Sequence, residues 1–212
     1  ILDVAHGKDT KGKRSPDGKH REYLWSRERI ANITKNILRV KNLNFSLYFP
    51  FLYEENEPGL TNRVKHYNEI SKGYSKTFVL SIHNDAYTDN WSKPHGASVW
   101  TSRGETISDE YATSLFNFLL DNYPNEKLRA ANWLGDKEKI KDPDFEANFT
   151  ILAGNSKIKP TYDAVLLEWL FQTNKEDVKK LMNPIHNEYF EDMITSWILK
   201  TFNHEEHKRN IL

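Results

Sequence analysis

The sequence of 212 residues contains no cysteine. This absence excludes disulfide frameworks, cysteine-based zinc sites and cysteine nucleophiles, and it leaves the redox compartment open. The chain also lacks a net charge, with 30 Lys and Arg against 30 Asp and Glu, so no overall field favours nucleic acid as a partner. No apolar run approaches the roughly 20 residues of a membrane helix. We therefore expect neither a nucleic-acid partner nor a membrane span.

The visible sequence also has no signal peptide. The chain opens directly on ILDVAHG, which has no methionine and already has the pattern of a strand. We therefore expect that the start has been processed or trimmed, so the sequence does not exclude secretion of the protein.

The residues that are present are sufficient for a packed core, since 38% are hydrophobic and 13% are aromatic. Segments with the pattern of strands alternate with segments of helical period. Strands are predicted at 1–5, 45–49, 77–83, 97–102, 148–152 and 164–170, and helices at 22–40, 60–73, 106–122, 174–182 and 187–202. This alternation predicts an α/β fold with a mostly parallel, mixed and twisted sheet of about six strands and helices on both faces.

The chain shows no internal repeat and no linker between domains. We therefore predict a single domain over residues 1–202, followed by a solvated tail over residues 203–212. The region 124–147 is charged and irregular, and we predict that it forms an excursion facing the substrate.

One glutamate stands inside an apolar run. The segment DAVLLEWLFQTN (163–174) places Glu168 between branched and aromatic residues, a pattern that predicts a buried strand. An ionised carboxylate left alone in such a strand would cost several kcal/mol, so it requires compensation.

Two predicted strands end in histidine, at His6 and His83, and Glu22 stands where a long loop passes into a helix. In open α/β sheets the ligand site lies beyond the carboxyl ends of the strands. Two imidazoles and one carboxylate, with a position open to water, form the ligand set of a catalytic zinc site. Spacing alone leaves a simpler interpretation open, in which the histidines make hydrogen bonds and the glutamate faces the helix dipole.

Glu168 favours the metal site if its strand lies beside strand 1–5 or strand 77–83. An acid in a partly dry site has a raised pKa, which suits a residue that first accepts and then donates a proton. The apolar run is therefore consistent with a general base near the histidines.

Six segments carry a resemblance to a known family, in the same order along nearly the whole chain. These segments are ILDVAHGKDT, SPDGKHREYLWSRERIA, LTNRVKHYNEI, FVLSIHNDA, HGASVW and YDAVLLEWLFQTNKEDVKKL. Together they resemble the zinc-dependent N-acetylmuramoyl-L-alanine amidases, the catalytic domain of bacterial cell-wall hydrolases, sporulation lysins and phage endolysins.

The resemblance implies a role for four residues. His6, Glu22 and His83 would hold Zn²⁺, and Glu168 would be the general base. The bond cut would join the lactyl group of N-acetylmuramic acid to L-alanine of the stem peptide. The resemblance further implies that a monomer acts on peptidoglycan in the cell wall, in the periplasm or outside the cell, or that the enzyme is phage-encoded.

The sequence departs from the family at the substrate side. Ala153 stands where many relatives carry an arginine, and Trp169 is bulkier than the residue that relatives commonly have after the glutamate. We expect His95, Asn84 and Trp169 to contact substrate, although His95 could pack against its own turn and Asn84 could orient the ligands. The remaining histidines are expected at the surface; these are His20, His66, His186, His204 and His207.

Two other functions stay open at this point. One is a zinc peptidase or deacylase that acts on a different amide, for which Ala153 and Trp169 leave room. The other is a wall-binding module without catalysis, and this alternative is disfavoured because no ligand position is lost.

Overall fold

The computed structural model describes residues 1–123, 125–131 and 142–203. Within these ranges the strands are β1 (Leu2–Val4), β2 (Phe78–Asp85), β3 (Ser98–Thr101), β4 (Phe145–Glu146) and β5 (Asp163–Phe171). The helices are α1 (Glu22–Leu38), α2 (Leu60–Ser71), α3 (Ile107–Asn122), α4 (Thr150–Ala153), α5 (Lys175–Leu181) and α6 (Pro184–Phe202). The predicted tail, with His204 and His207, lies almost entirely outside the described residues.

The strands form one sheet in the order β1-β2-β5-β3-β4. The β1/β2, β2/β5 and β3/β4 pairs are parallel, and the β3/β5 pair is antiparallel. Most residues of the central strands β2 and β5 are buried, as expected for a sheet covered on both faces. The predicted α/β fold with a mostly parallel mixed sheet is therefore confirmed, with five strands in the described residues where about six were predicted.

The predicted strand at 45–49 is wrong. Only one backbone hydrogen bond joins this segment to β1, from Leu2 N to Tyr48 O at 2.8 Å, and no ladder forms. Its alternating apolar residues Phe45, Leu47 and Phe49 are partly buried against the core. The apolar residues of this segment therefore alternate as they do in a strand, but the segment does not pair with a neighbouring strand.

The predicted strand at 148–152 is also wrong, because Thr150–Ala153 forms the single turn α4. Ile151 and Leu152 are adjacent and both buried, which a helix allows and an alternating strand does not. The strand of this region is β4, slightly upstream, where Phe145 stacks on Trp100 with ring centroids 4.9 Å apart. Short apolar runs do not distinguish the two structures by pattern.

Helix α6 closes the fold against α1. Asn183 caps its start by accepting hydrogen bonds from Ile185 N at 2.9 Å and His186 N at 3.4 Å, and Pro184 occupies the first turn. Trp25 Nε1 of α1 donates to Asn187 Oδ1 of α6 at 3.0 Å. Within the described ranges, no helix combines the length and the apolar character that crossing a bilayer requires.

Candidate metal centre

His6 lies just beyond the carboxyl end of β1, with a φ of 43° in the left-handed region. Residues with side chains rarely adopt this conformation, so the surrounding structure must hold it. Arg63 does so, since its guanidinium donates to Val4 O and, at 3.4 Å, to His6 O. Arg63 is fixed in turn by Asp3, whose Oδ1 lies 2.6 Å from Arg63 Nη1.

Glu22, the first residue of α1, meets both histidines at this edge of the sheet. Its Oε1 lies 3.0 Å from His83 Nδ1 and 3.4 Å from His6 Nε2. The two imidazole rings are nearly perpendicular, with centroids 4.9 Å apart. One ligand atom from each of the three residues lies within 4.8 Å of the others. The fold thus brings together residues that are far apart in the sequence.

The electrostatics of the trio favour a cation. Burial of Glu22 raises its pKa, but the hydrogen bonds from His6 and His83 outweigh this effect and leave the pKa well below its ordinary value. The pKa of His6 is lowered, chiefly by burial. An ionised Glu22 facing a neutral His6 is the protonation state in which these two groups bind metal.

The donor set and its exposure fit a catalytic zinc ion. Two nitrogens and one oxygen are the ligands that such sites use. Glu22 is buried, whereas the His6 and His83 side chains remain 21% and 13% exposed. Water can therefore reach the two imidazoles, as a catalytic site with an open coordination position requires.

Asn84 and His20 form a hydrogen-bonded shell beside the trio of His6, Glu22 and His83. Asn84 N donates to Glu22 Oε1 at 3.2 Å, and Asn84 Oδ1 lies 2.8 Å from His20 Nε2. His20 is 4% exposed, so the prediction of a surface residue is wrong for this histidine. Its burial follows from the contact with Asn84, which the sequence pattern does not indicate.

Glu168 lies beside His83, because the register of β5 and β2 pairs the two residues. Paired residues on neighbouring strands lie about 4.8 Å apart and point to the same face of the sheet. Glu168 Oε2 is buried and has no hydrogen-bond partner among the described residues. Burial, and then the negative charges of Glu22 and Asp85, raise the pKa of Glu168 well above its ordinary value.

A β-bulge follows the paired residues. The register shifts after His83, and the buried Leu170 has a φ of 61°. An extra residue in one strand bends it and redirects its side chains, and such bulges are frequent beside functional sites. Next to the bulge, Trp169 O accepts a hydrogen bond from Asn84 Nδ2 at 2.6 Å. The bulge therefore links the strand of Glu168 to the shell of the trio.

The three expected substrate contacts occupy different places. His95 is exposed, and its Nδ1 lies 3.1 Å from Lys93 O, the contact of a residue packed on its own turn. Asn84 is buried, and its side-chain amide makes hydrogen bonds with Trp169 O and with His20 Nε2. These contacts agree with a residue that orients ligands. Trp169 is fully buried and packs on Phe190 with ring centroids 4.8 Å apart, so it belongs to the core and not to a substrate surface.

His186 also departs from the expectation of a surface residue. Its side chain is 13% exposed, and its Nε2 lies 3.0 Å from Glu126 Oε2. Three of the histidines that were expected at the surface lie in the described residues, namely His20, His66 and His186. Of these three, only His66 is exposed.

Two residues of the site were missed by the sequence interpretation. Arg129 pairs with Asp85, donates to Ser98 Oγ at 2.8 Å and lies 4.4 Å from the centroid of the Phe171 ring. Because Ser98 is paired with Glu168 across β3 and β5, Arg129 brings a positive charge close to the acid. It comes from the charged region 124–147, which gave no signal of a specific residue.

The second missed residue is Gln172, which directly follows β5. It is fully buried, and its Nε2 donates to Glu22 Oε2 at 2.7 Å. A lone glutamine in a loop has no sequence signature that links it to a glutamate 150 positions earlier.

Comparisons with known proteins show the family and the fold of the chain. A family model described as N-acetylmuramoyl-L-alanine amidase matches residues 1–200. A comparison with proteins of curated function finds no match. The fold is similar to that of an N-acetylmuramoyl-L-alanine amidase from Clostridium difficile 630, with a TM-score of 0.73, 17% identity and 96% of each chain covered.

Two further solved structures share the fold. One is the catalytic domain of the amidase CwlV from Bacillus (Paenibacillus) polymyxa var. colistinus, with a TM-score of 0.71, 16% identity, and 96% of this chain and 97% of that chain covered. The other is the CwlD amidase from Clostridioides difficile in complex with the GerS lipoprotein, with a TM-score of 0.62, 19% identity, and 94% and 95% covered. Since the family model extends over nearly the whole sequence, the chain belongs to the N-acetylmuramoyl-L-alanine amidase family.

Proposed function

We propose that the protein hydrolyses the amide bond between N-acetylmuramic acid and L-alanine in peptidoglycan, with zinc held by His6, Glu22 and His83 and with Glu168 as the general base. The observation that carries the proposal is the convergence of the three ligand residues with Glu168 alongside His83. When bound, zinc supplies a Lewis acid that makes a nucleophile available at neutral pH and polarises the amide carbonyl.

Glu168 has the properties that the base requires. Its carboxylate takes a proton from the attacking water, whose oxygen forms a bond to the carbonyl carbon. Glu168 then gives the proton to the nitrogen as the C–N bond breaks, which leaves a carboxylic acid and an amine. A raised pKa suits both steps, because the group exchanges protons more readily near neutral pH.

Arg129 and Asp85 complete the surroundings of the base. The positive charges of Lys13 and then of Arg129 lower the pKa of Glu168, against the larger raising effects of burial and of the nearby carboxylates. We infer that this balance keeps Glu168 able to lose its proton when no substrate is bound.

Family membership supports peptidoglycan as the substrate. We place the activity at the bacterial cell wall, and an autolysin, a sporulation enzyme and a phage lysin are all compatible with the fold. The monomeric state stays a prediction.

The proposal is tested with purified peptidoglycan and the zinc-loaded protein. Newly formed amino termini of L-alanine are expected for the wild type. Glu168→Gln should retain zinc and the fold but lose most of the hydrolysis, whereas Glu188→Gln makes the same chemical change at an exposed position of α6 and should stay fully active. Full activity of Glu168→Gln would remove the assignment of the base.

The same assay separates the alternatives. Zinc binding without new L-alanine termini would favour a zinc peptidase or deacylase acting on another amide. Absence of both zinc binding and new termini would favour a wall-binding module.

A further inference from the structure

Gln172 lies directly behind the metal ligand Glu22. Its side chain is fully buried at the end of β5, and its backbone N donates to Asp85 O at 2.8 Å. Its Nε2 donates to Glu22 Oε2 at 2.7 Å and to Asn84 O at 3.2 Å. The reverse orientation of the amide would place its oxygen against two acceptors, so the hydrogen-bond partners fix which atom faces Glu22.

The two oxygens of Glu22 therefore have different partners. Oε1 faces His6 and His83 and accepts from Asn84 N. Oε2 accepts the hydrogen bond from Gln172. A carboxylate binds a metal through one oxygen or through two, and a strong donor on the second oxygen favours the first mode.

We propose that Gln172 is a positioning residue for Glu22, which it holds so that Oε1 alone faces the zinc ion. By occupying Oε2, Gln172 keeps a coordination position for water and substrate that a two-oxygen contact would take. It also removes the rotational freedom of the Glu22 carboxylate, so less entropy is lost when the ion binds. This inference rests on the proposed zinc site and adds a residue that determines its geometry.

A purely structural role would have a different outcome. If Gln172 only filled space and satisfied Asn84 O, its replacement would lower the stability of the fold without changing the affinity for zinc. Affinity and stability are therefore measured separately on the same variants.

The first experiment measures zinc affinity of the metal-free protein by competition with a chromophoric chelator. Gln172→Met keeps the length of the side chain and removes the donor, and a loss of about 10- to 100-fold in affinity is expected, as for other groups that orient a metal ligand. Gln172→Asn is the second variant, for use if Gln172→Met fails to fold. It keeps an amide, but its side chain is too short to reach Glu22 at the same distance, so a similar loss of zinc affinity is expected.

Ser108→Ala is the matched control. Ser108 is buried, and its Oγ accepts a hydrogen bond from Ala164 N at 3.0 Å, at the opposite end of β5. This variant removes a buried side-chain hydrogen bond from the same strand. It should lose thermal stability and keep the zinc affinity of the wild type.

The second experiment reads the coordination directly, through the visible absorption spectrum of the cobalt-substituted protein. If Oε2 joins the metal in Gln172→Met, the coordination number rises and the absorption weakens relative to the wild type, while Ser108→Ala keeps the wild-type spectrum. A folded Gln172→Met with unchanged zinc affinity and an unchanged cobalt spectrum would overturn the inference. A wild type that binds no zinc would instead overturn the proposed function on which it rests.

Discussion

Replacing Glu168 with glutamine in the metal-free protein should raise the free energy of unfolding, although the same change should remove most of the hydrolysis. The carboxylate lies close to a second buried acid, Glu22, and its Oε2 is buried without a hydrogen-bond partner among the described residues. Such an arrangement is maintained for catalysis at the expense of stability, as is common in active sites. Glutamine keeps the shape of the side chain and removes the charge.

The size of the effect follows from the unsatisfied oxygen. A buried polar atom without a partner costs about 1–3 kcal/mol, and more when it is charged. Glutamine still has polar atoms to satisfy, so the expected gain is about 1–2 kcal/mol. For a domain of this length each kcal/mol shifts the melting temperature by about 2–4 °C, which gives an increase of about 2–8 °C.

The effect should depend on pH in a defined direction. Because the pKa of Glu168 is raised in the folded state, the folded protein binds more protons than the unfolded chain above the ordinary value of 4.5. The stability of the wild type therefore falls as the pH rises through this region, and the advantage of Glu168→Gln should grow. In acid, where both states are protonated, the advantage should be smallest.

The assay is thermal unfolding in the presence of a strong chelator over a series of pH values. Glu126→Gln is the control, because the Glu126 side chain is also buried but has partners, with His186 Nε2 3.0 Å from its Oε2 and Lys180 paired with its Oε1. Burial raises the pKa of Glu126, but these partners outweigh that effect and leave the pKa below its ordinary value. That variant should lose stability at neutral pH. A Glu168→Gln protein that is less stable than the wild type, or whose advantage does not change with pH, would refute the reasoning.

Three other substitutions test the supports of the site. Arg63→Met should lower the free energy of unfolding by about 3–5 kcal/mol in urea, because Asp3, 2% exposed, would be left as a buried charge without its partner. Asn183→Ala removes the cap of α6 and should cost about 1 kcal/mol without changing zinc affinity. His95→Ala should change stability by less than about 0.5 kcal/mol, since the ring is exposed and its hydrogen bond is to Lys93 O of its own turn. A raised KM of this variant would support a substrate contact.

The alternation of strands and helices was predictable from the sequence. The apolar runs around Leu80 and Val165 are long and regular, and these residues form the buried centre of the sheet as register partners. The convergence of His6 and His83 was predictable for the same reason, because parallel strands end at the same edge of a sheet. The position of each histidine at the end of a predicted strand thus indicated that the two side chains meet.

The errors in the fold have a common physical origin. Residues 45–49 and 148–152 are short apolar segments at the margin of the core, where local pattern does not distinguish a strand from other buried structure. Whether such a segment pairs depends on the edges that neighbouring elements leave available. In 148–152 the adjacent buried pair Ile151 and Leu152 was the signal against a strand.

The supporting residues of the site were beyond prediction from sequence alone. Gln172, Arg129 and His20 act through hydrogen bonds to partners distant in the chain. Neither hydrophobic period nor spacing reports such contacts, since they depend on the final placement of loops. The burial of Trp169 was readable, because it alternates with Glu168 along β5 and so faces the other side of the sheet.

The central claim is that His6, Glu22 and His83 bind one zinc ion beside Glu168. Anomalous diffraction at the zinc absorption edge, from crystals of the zinc-loaded protein, tests this claim most directly. We expect one strong peak about 2.0–2.2 Å from a nitrogen of each histidine and from Glu22 Oε1. A fully occupied zinc ion bound elsewhere, with these three side chains free of metal, would contradict the account.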